Sequence, residues 1–148
     1  MIVNTAYIYM GVGGGGGGGV GTPANPNLWK DGVSNYPVVF TDSKITASGL
    51  NFISVPGEAT FSELTLTQFN SLTLSGRTTQ GVNQKVEIGI EFYSSDNVLI
   101  GTTTAEFPRS EKSVTVDIPS SAKIQNAKIK IKKTDYVSSL TFSSAVLS

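Results

Sequence analysis

The sequence predicts an all-β fold, an antiparallel β-sandwich or jelly roll of eight or nine strands behind an extended glycine-rich N-terminal arm. Three observations carry that expectation. Apolar and polar residues alternate with period two in run after run beyond Asn27. Turn-forming residues punctuate those runs at short intervals, and no segment holds a helical period. Strands with one apolar face each must bury it against a second sheet, which makes the architecture a sandwich.

The chain divides at its start. The first charged residue is Lys30, so residues 1–29 form an uncharged stretch unlike everything after them. Ile2, Val3, Ala6, Tyr7, Ile8 and Tyr9 make a β-prone tip, followed by the glycines Gly13 to Gly19 and by Pro23 and Pro26. Such a stretch cannot bury enough apolar surface to offset the entropy of ordering it. As a free coil of about 16 residues it would span roughly 22 Å. The expected division is therefore a glycine-rich arm, 1–26, and a β domain, 27–148. An apolar tip on a tether needs a docking place. The arm therefore reads either as a passive tether or, because of Ile2, Tyr7, Ile8 and Tyr9, as an anchor on a neighbouring subunit, by strand addition.

Within the domain, Val86, Ile88, Ile90 and Phe92 point one way, and Lys85, Glu87, Gly89, Glu91 and Tyr93 the other. Val114, Val116 and Ile118 alternate with Ser113, Thr115 and Asp117; Ala127, Ile129 and Ile131 alternate with Lys128, Lys130 and Lys132. Leu72 and Leu74, then Leu140 and Phe142, show the same period. Further strands are expected near 37–41, 50–55, 60–66 and 98–105. Pro56-Gly57, Gly76 to Gly81, Ser94 to Asn97, Pro108 to Glu111 and Pro119 to Ser121 read as loops, with a hairpin around Asp96 and Asn97.

Composition narrows the chemistry. The 148 residues hold no Cys and no His, which excludes thiol catalysis, Cys/His zinc sites and histidine acid–base chemistry. Eleven basic residues balance eleven acidic ones, without the basic excess of a nucleic-acid binder. No apolar run approaches the length of a bilayer-crossing helix. Neither nucleic acid nor membrane is an expected partner. Residues 1–10 lack the basic start of a secretory signal, so if the protein works outside a cell, release by lysis or inside a larger particle is expected.

The motifs that could carry catalysis do not. Glu87 and Glu91 share a strand face, but four residues place their Cα atoms about 13 Å apart. Glycosidase carboxyl groups stand about 5–9.5 Å apart, so this pair alone is not a hydrolytic site. The glycine run lacks a Gly-Lys-Ser/Thr ending and opens no helix, so it is not a phosphate loop. Gly89 leaves a gap on the outer face that a bulge, a neighbouring chain or a ligand could explain. Lys128, Lys130, Lys132 and Lys133 read as a solvated strand face whose lysines guard against edge pairing. Were this strand beside 85–93, Lys128 and Lys130 could pair with Glu87 and Glu91, each pair contributing only roughly 0–1 kcal/mol.

Four segments carry a family resemblance: Asn27-Leu28-Trp29 with Asp31-Gly32, "SLTLSGRTT" from Ser71, "VEIGIEFYSSDNVLIG" from Val86 and "SVTVDIPSSAKIQNAKIKIKK" from Ser113. In this order they resemble the galactose-binding-like jelly-roll domains, which include many carbohydrate-binding modules. The resemblance implies glycan binding through exposed aromatics, for which Trp29, Tyr36, Tyr93 and Tyr136 are the candidates; core or edge packing is the first reading of Trp29, at the start of the first strand, and a structural role the first reading of each tyrosine. It also implies a possible structural calcium held by oxygens near the first strand, to which Asp31 and Asp42 could contribute; no other cofactor is expected. Arm, glycine stretch and compact β domain together resemble accessory proteins of tailed-phage virions (capsid decoration, head-fibre or tail-associated). The expectation is a non-enzymatic virion structural protein. Its partners would be other virion proteins or copies of itself through the arm, and host-surface glycan through the sandwich. The alternative is a carbohydrate-binding module without a structural role.

Overall fold

A computed structural model describes residues 25–80, 85–136 and 138–148. Its elements are β1 (Trp29–Lys30), β2 (Val33–Ser34), β3 (Val38–Thr41), β4 (Ser43–Thr46), β5 (Gly49–Phe52), β6 (Gly57–Leu64), β7 (Ser71–Gln80), β8 (Lys85–Tyr93), β9 (Leu99–Pro108), β10 (Lys112–Asp117), β11 (Ala127–Lys133) and β12 (Ser139–Leu147). One 3₁₀ turn, Ser120–Ala122, sits between β10 and β11. Among the described residues, ten strands form two antiparallel five-stranded sheets, ordered β10-β7-β12-β5-β4 and β3-β6-β11-β8-β9. β1 and β2 form a separate ribbon, closed by Asp31 and Gly32 at φ 51° and 83°.

The alternating runs set which side of each strand is buried. Val86, Ile88, Ile90 and Phe92 of β8 face the core, as do Ala127, Ile129 and Ile131 of β11. Leu72 and Leu74 of β7, and Leu140, Phe142, Ala145 and Leu147 of β12, close it from the opposite sheet. Aromatic rings pack within and between the layers. Trp29 stacks on Phe61 at 5.4 Å between centroids, and Phe142 takes Phe107 of the opposite sheet edge-on at 4.9 Å and Phe52 of its own sheet at 6.0 Å. Asn25 to Leu28 lie along the end of β12: the Leu147 amide donates to the Pro26 carbonyl and the Leu28 amide to the Ala145 carbonyl.

The structure departs from the sequence expectation in three places. β7 runs through Gly76 to Gln80, where turn residues read as a loop although the family resemblance implied a strand from Ser71 to Thr79. Gly76 lies inside the strand, and a Cβ there would come within 2.6 Å of the Thr141 carbonyl oxygen and 2.7 Å of the Phe142 ring. The glycine makes room for Phe142 and marks no turn. The resemblance implied an opening strand at Asn27 to Trp29, where β1 lies, but β2 and β4 were not expected, because they are short and β4 holds one apolar residue, Ile45. β11 is the central strand of its sheet, paired to β6 on one side and β8 on the other. Its lysines therefore guard no edge.

Candidate functional site on the outer face of the β8–β11 sheet

Cross-strand register brings the outward side chains of β3, β6, β11, β8 and β9 into rows. One row runs Thr41, Glu58, Lys132, Gly89, Thr104, and the next runs Val39, Thr60, Lys130, Glu91, Thr102. A third places Lys128 opposite Tyr93. The period-two alternation that buries Ile88, Ile90 and Ile129 presents these residues, polar apart from Val39 and Gly89, together on the other side.

Tyr93 is held in place. Its hydroxyl donates to Glu91 Oε1 at 2.6 Å, and Lys130 Nζ lies 5.4 Å from its ring centroid. Lys130 also meets Glu58 at 3.5 Å. The hydrogen bond to Glu91, then partial burial, then the charges of Glu91 and Glu58 push the Tyr93 phenol up to about 12. Lys128 Nζ donates to Asn97 Oδ1 at 2.6 Å, tying the face to the β8–β9 hairpin loop, where Asn97 adopts φ 64°. Lys85 pairs with Glu106 at 3.3 Å in solvent. The expected pairing of Lys128 and Lys130 with Glu87 and Glu91 is thus replaced. β11 does neighbour β8, but Lys130 binds Glu58, Lys128 binds Asn97, and Glu91 accepts from Tyr93.

The four aromatics expected to hold sugar are not brought together. Trp29 is 0% exposed, packed on Phe61 and Phe142, so its ring is part of the core and cannot stack on a ligand. Tyr36 is half-buried against the core, and burial raises its phenol pKa. Tyr136 is 75% exposed, in the loop after β11. It lies beyond Lys133, whereas Tyr93 pairs with Lys128 at the other end of that strand, about 17 Å away along it. Tyr93 is the member of the set on the polar outer face. Ile2, Tyr7, Ile8 and Tyr9 lie outside the described residues.

Asp31 and Asp42 occupy tight corners with left-handed backbones, φ 51° and 49°. Among the described residues no group of three or more His, Cys, Asp or Glu is placed to hold a metal, which gives the calcium expectation no support.

One buried polar cluster was not foreseen. Lys133 ends β11 facing inward, 1% exposed. Its ammonium donates to the Asp135 carbonyl at 2.6 Å and the Val55 carbonyl at 3.1 Å, with Asp135 Oδ2 at 3.7 Å. Burial lowers its pKa, partly opposed by Asp135. It fastens the β5–β6 loop to the β11–β12 loop. The Lys132-Lys133 doublet signals this, because two consecutive residues in a period-two strand cannot both face solvent.

No protein-family model matches the chain, and no curated protein matches it. Solved structures do share its fold. It is similar to the xylan-binding module CBM15, with TM-score 0.53 and 12% identity, covering 74% of this chain and 94% of that one. A CBM4 structure gives 0.51 and 11%, covering 74% and 77%. The agarase AgWH50C gives 0.60 and 9% over 84% of this chain, which spans 24% of the agarase chain. At such identities the likeness establishes the fold, a jelly-roll β-sandwich of the kind found in carbohydrate-binding modules.

Proposed function

We propose that this chain is a non-catalytic glycan-binding domain whose ligand lies on the outer face of the β3-β6-β11-β8-β9 sheet. The observation that carries the reading is Tyr93. It is a ring fixed on that face by Glu91 and Lys130, within rows of hydrogen-bonding side chains. A ring fixed before binding loses little freedom when a sugar stacks on it. The charged side chains around it offer donors and acceptors to hydroxyl groups. The fold shared with the xylan-binding CBM15 supports the same reading.

Affinity electrophoresis against soluble polysaccharides, followed by calorimetry on those that retard the protein, tests it. Tyr93→Ala is expected to weaken binding at least about tenfold, roughly 1.4 kcal/mol, with an unchanged circular dichroism spectrum. Binding undiminished in Tyr93→Ala would place the ligand elsewhere.

The uncharged stretch before Lys30, with its run Gly13 to Gly19, favours a second, compatible reading. In it the domain is an accessory protein of a virion, held through Ile2, Tyr7, Ile8 and Tyr9 to other virion proteins or to copies of itself, and presenting the sandwich to host-surface glycan. Deletion of residues 1–20 should then leave fold and glycan affinity intact while abolishing assembly. A truncated chain that assembles normally would remove this reading and leave the first.

A further inference from the structure

Gly89 sits in mid-strand, where glycine weakens a sheet and needs a reason. Two of the usual reasons do not hold. The ladder is unbroken around it, with Ile88, Gly89 and Ile90 opposite Ala105, Thr104 and Thr103, so there is no bulge. Nor does the protein's own backbone crowd it. A Cβ at Gly89 would meet just the Lys132 carbonyl oxygen, at 4.0 Å, whereas at Gly76 or Gly57 backbone oxygens stand within 2.6–2.8 Å. What remains is space on the outer face, about 13 Å from Glu87 to Glu91 along β8 and about 10 Å from β11 to β9.

Resting on the glycan-binding reading above, we infer that this space is a subsite for one uncharged sugar unit, a neutral pentose or hexose. The bordering side chains decide the class. Lys130 is engaged with Glu58 and Lys85 with Glu106. Glu87, Glu91 and Lys132 are left around Gly89, with the Thr104 hydroxyl across the strand. Glu91 gives one oxygen to Tyr93, and its other oxygen remains an acceptor. Sugar hydroxyls donate to the carboxylates and accept from the Lys132 ammonium. A uronate or sulfate ester would face two carboxylates against one ammonium, and like charges at this range repel.

The test uses the full chain and three proteins: wild type, Gly89→Val and Tyr93→Ala. Each is titrated calorimetrically with neutral xylan, β-glucan and galactan and with polygalacturonate and carrageenan. Wild type should bind at least one neutral polymer and neither acidic one. Gly89→Val, which fills the space with a strand-favouring residue, should melt no lower than wild type and bind the neutral polymer at least about tenfold more weakly. Retained binding in Gly89→Val with loss in Tyr93→Ala overturns the subsite and keeps the binding face. Retention in both variants, or no binding by wild type, overturns the face itself. Preference for an acidic polymer overturns the charge assignment. A wild-type oligomer that Gly89→Val converts to monomer would show that a second copy fills the space, and would also overturn the subsite.

Discussion

Replacing Trp29 separates core packing from ligand contact. Its indole is 0% exposed, stacks on Phe61 at 5.4 Å with an interplanar angle of 26°, and meets Phe142 edge-on at 6.5 Å. Truncating a buried Trp to Ala costs about 3–5 kcal/mol, and each aromatic pair adds about 0.5–1.5 kcal/mol beyond buried area. Since the terms overlap, the expected loss for Trp29→Ala is about 4–5 kcal/mol, roughly a quarter or more of a typical domain's ~5–15 kcal/mol. Trp29→Phe should behave differently. It keeps a ring against Phe61 and removes an indole N–H that has no hydrogen-bond partner among the described residues. A buried orphan donor costs about 1–3 kcal/mol, which offsets much of the lost ring area and leaves a net change within about 1.5 kcal/mol. Urea unfolding followed by far-UV circular dichroism measures both changes, with the slope checking that the transition stays two-state. A Trp29→Ala protein within about 1 kcal/mol of wild type would refute the packing argument. Wild-type stability combined with lost glycan binding would show that the ring reaches ligand after all.

Three further outcomes are expected. Gly76→Ala should cost more than about 2 kcal/mol in the same assay, although Ala is the better strand residue, because its Cβ would press on the Thr141 carbonyl and the Phe142 ring. Lys133→Met should cost about 2–4 kcal/mol by leaving the Val55 and Asp135 carbonyls and the Asp135 carboxylate without their cation; Lys133→Met/Asp135→Asn should recover part of it. The Tyr93 phenol, raised from 10.0 to about 12, keeps its proton longer in the folded state. Its contribution is therefore whole below pH 10 and is lost as pH rises through about 12. Lys133, with its lowered pKa, shifts stability the opposite way in alkali, so the readout is the difference between wild type and Tyr93→Phe. Phenolate absorbance should lose a step near pH 12 in Tyr93→Phe, and an unchanged titration would refute the assignment.

The sandwich was legible because its long strands alternate strictly. Val86 to Phe92 and Ala127 to Ile131 are buried on the expected sides, and the hairpin turns at Ser94 to Val98 as its residues suggest. What escaped the pattern was tertiary. Gly76 has the residue type of a loop, but the need for it comes from Phe142, far away in sequence. The lysines of β11 invited an edge assignment, because period-two alternation says which face a residue takes and nothing about which strands lie beside it. Tyr93 was legible as a candidate; its fastening by Glu91 and Lys130 depends on strand order and was not.

The two outer faces of the sandwich then make an argument that neither makes alone. On the β10-β7-β12-β5-β4 sheet the outward hydroxyls bind one another across strands: Thr73 with Thr115 at 2.8 Å, Ser75 with Ser113 at 2.7 Å, and Thr141 with Asn51 at 2.7 Å. That face satisfies much of its own hydrogen bonding. The opposite face carries Lys, Glu and Gly at the centre of its sheet, residue types that strands disfavour. Its ion pairs, one exposed (Lys85–Glu106) and one half-buried (Lys130–Glu58), contribute on the order of 1 kcal/mol or less each, too little to explain the choice through stability. β11 and β8 are hydrogen-bonded on both sides, so protection from edge pairing does not explain it either. On the proposed reading these side chains, which stabilise little and guard no edge, serve a ligand. A variant carrying Thr at Gly89, Glu87 and Lys132 together should therefore fold at least as stably as wild type and lose its glycan. A variant that kept full affinity would show that the contrast between the faces has no bearing on binding.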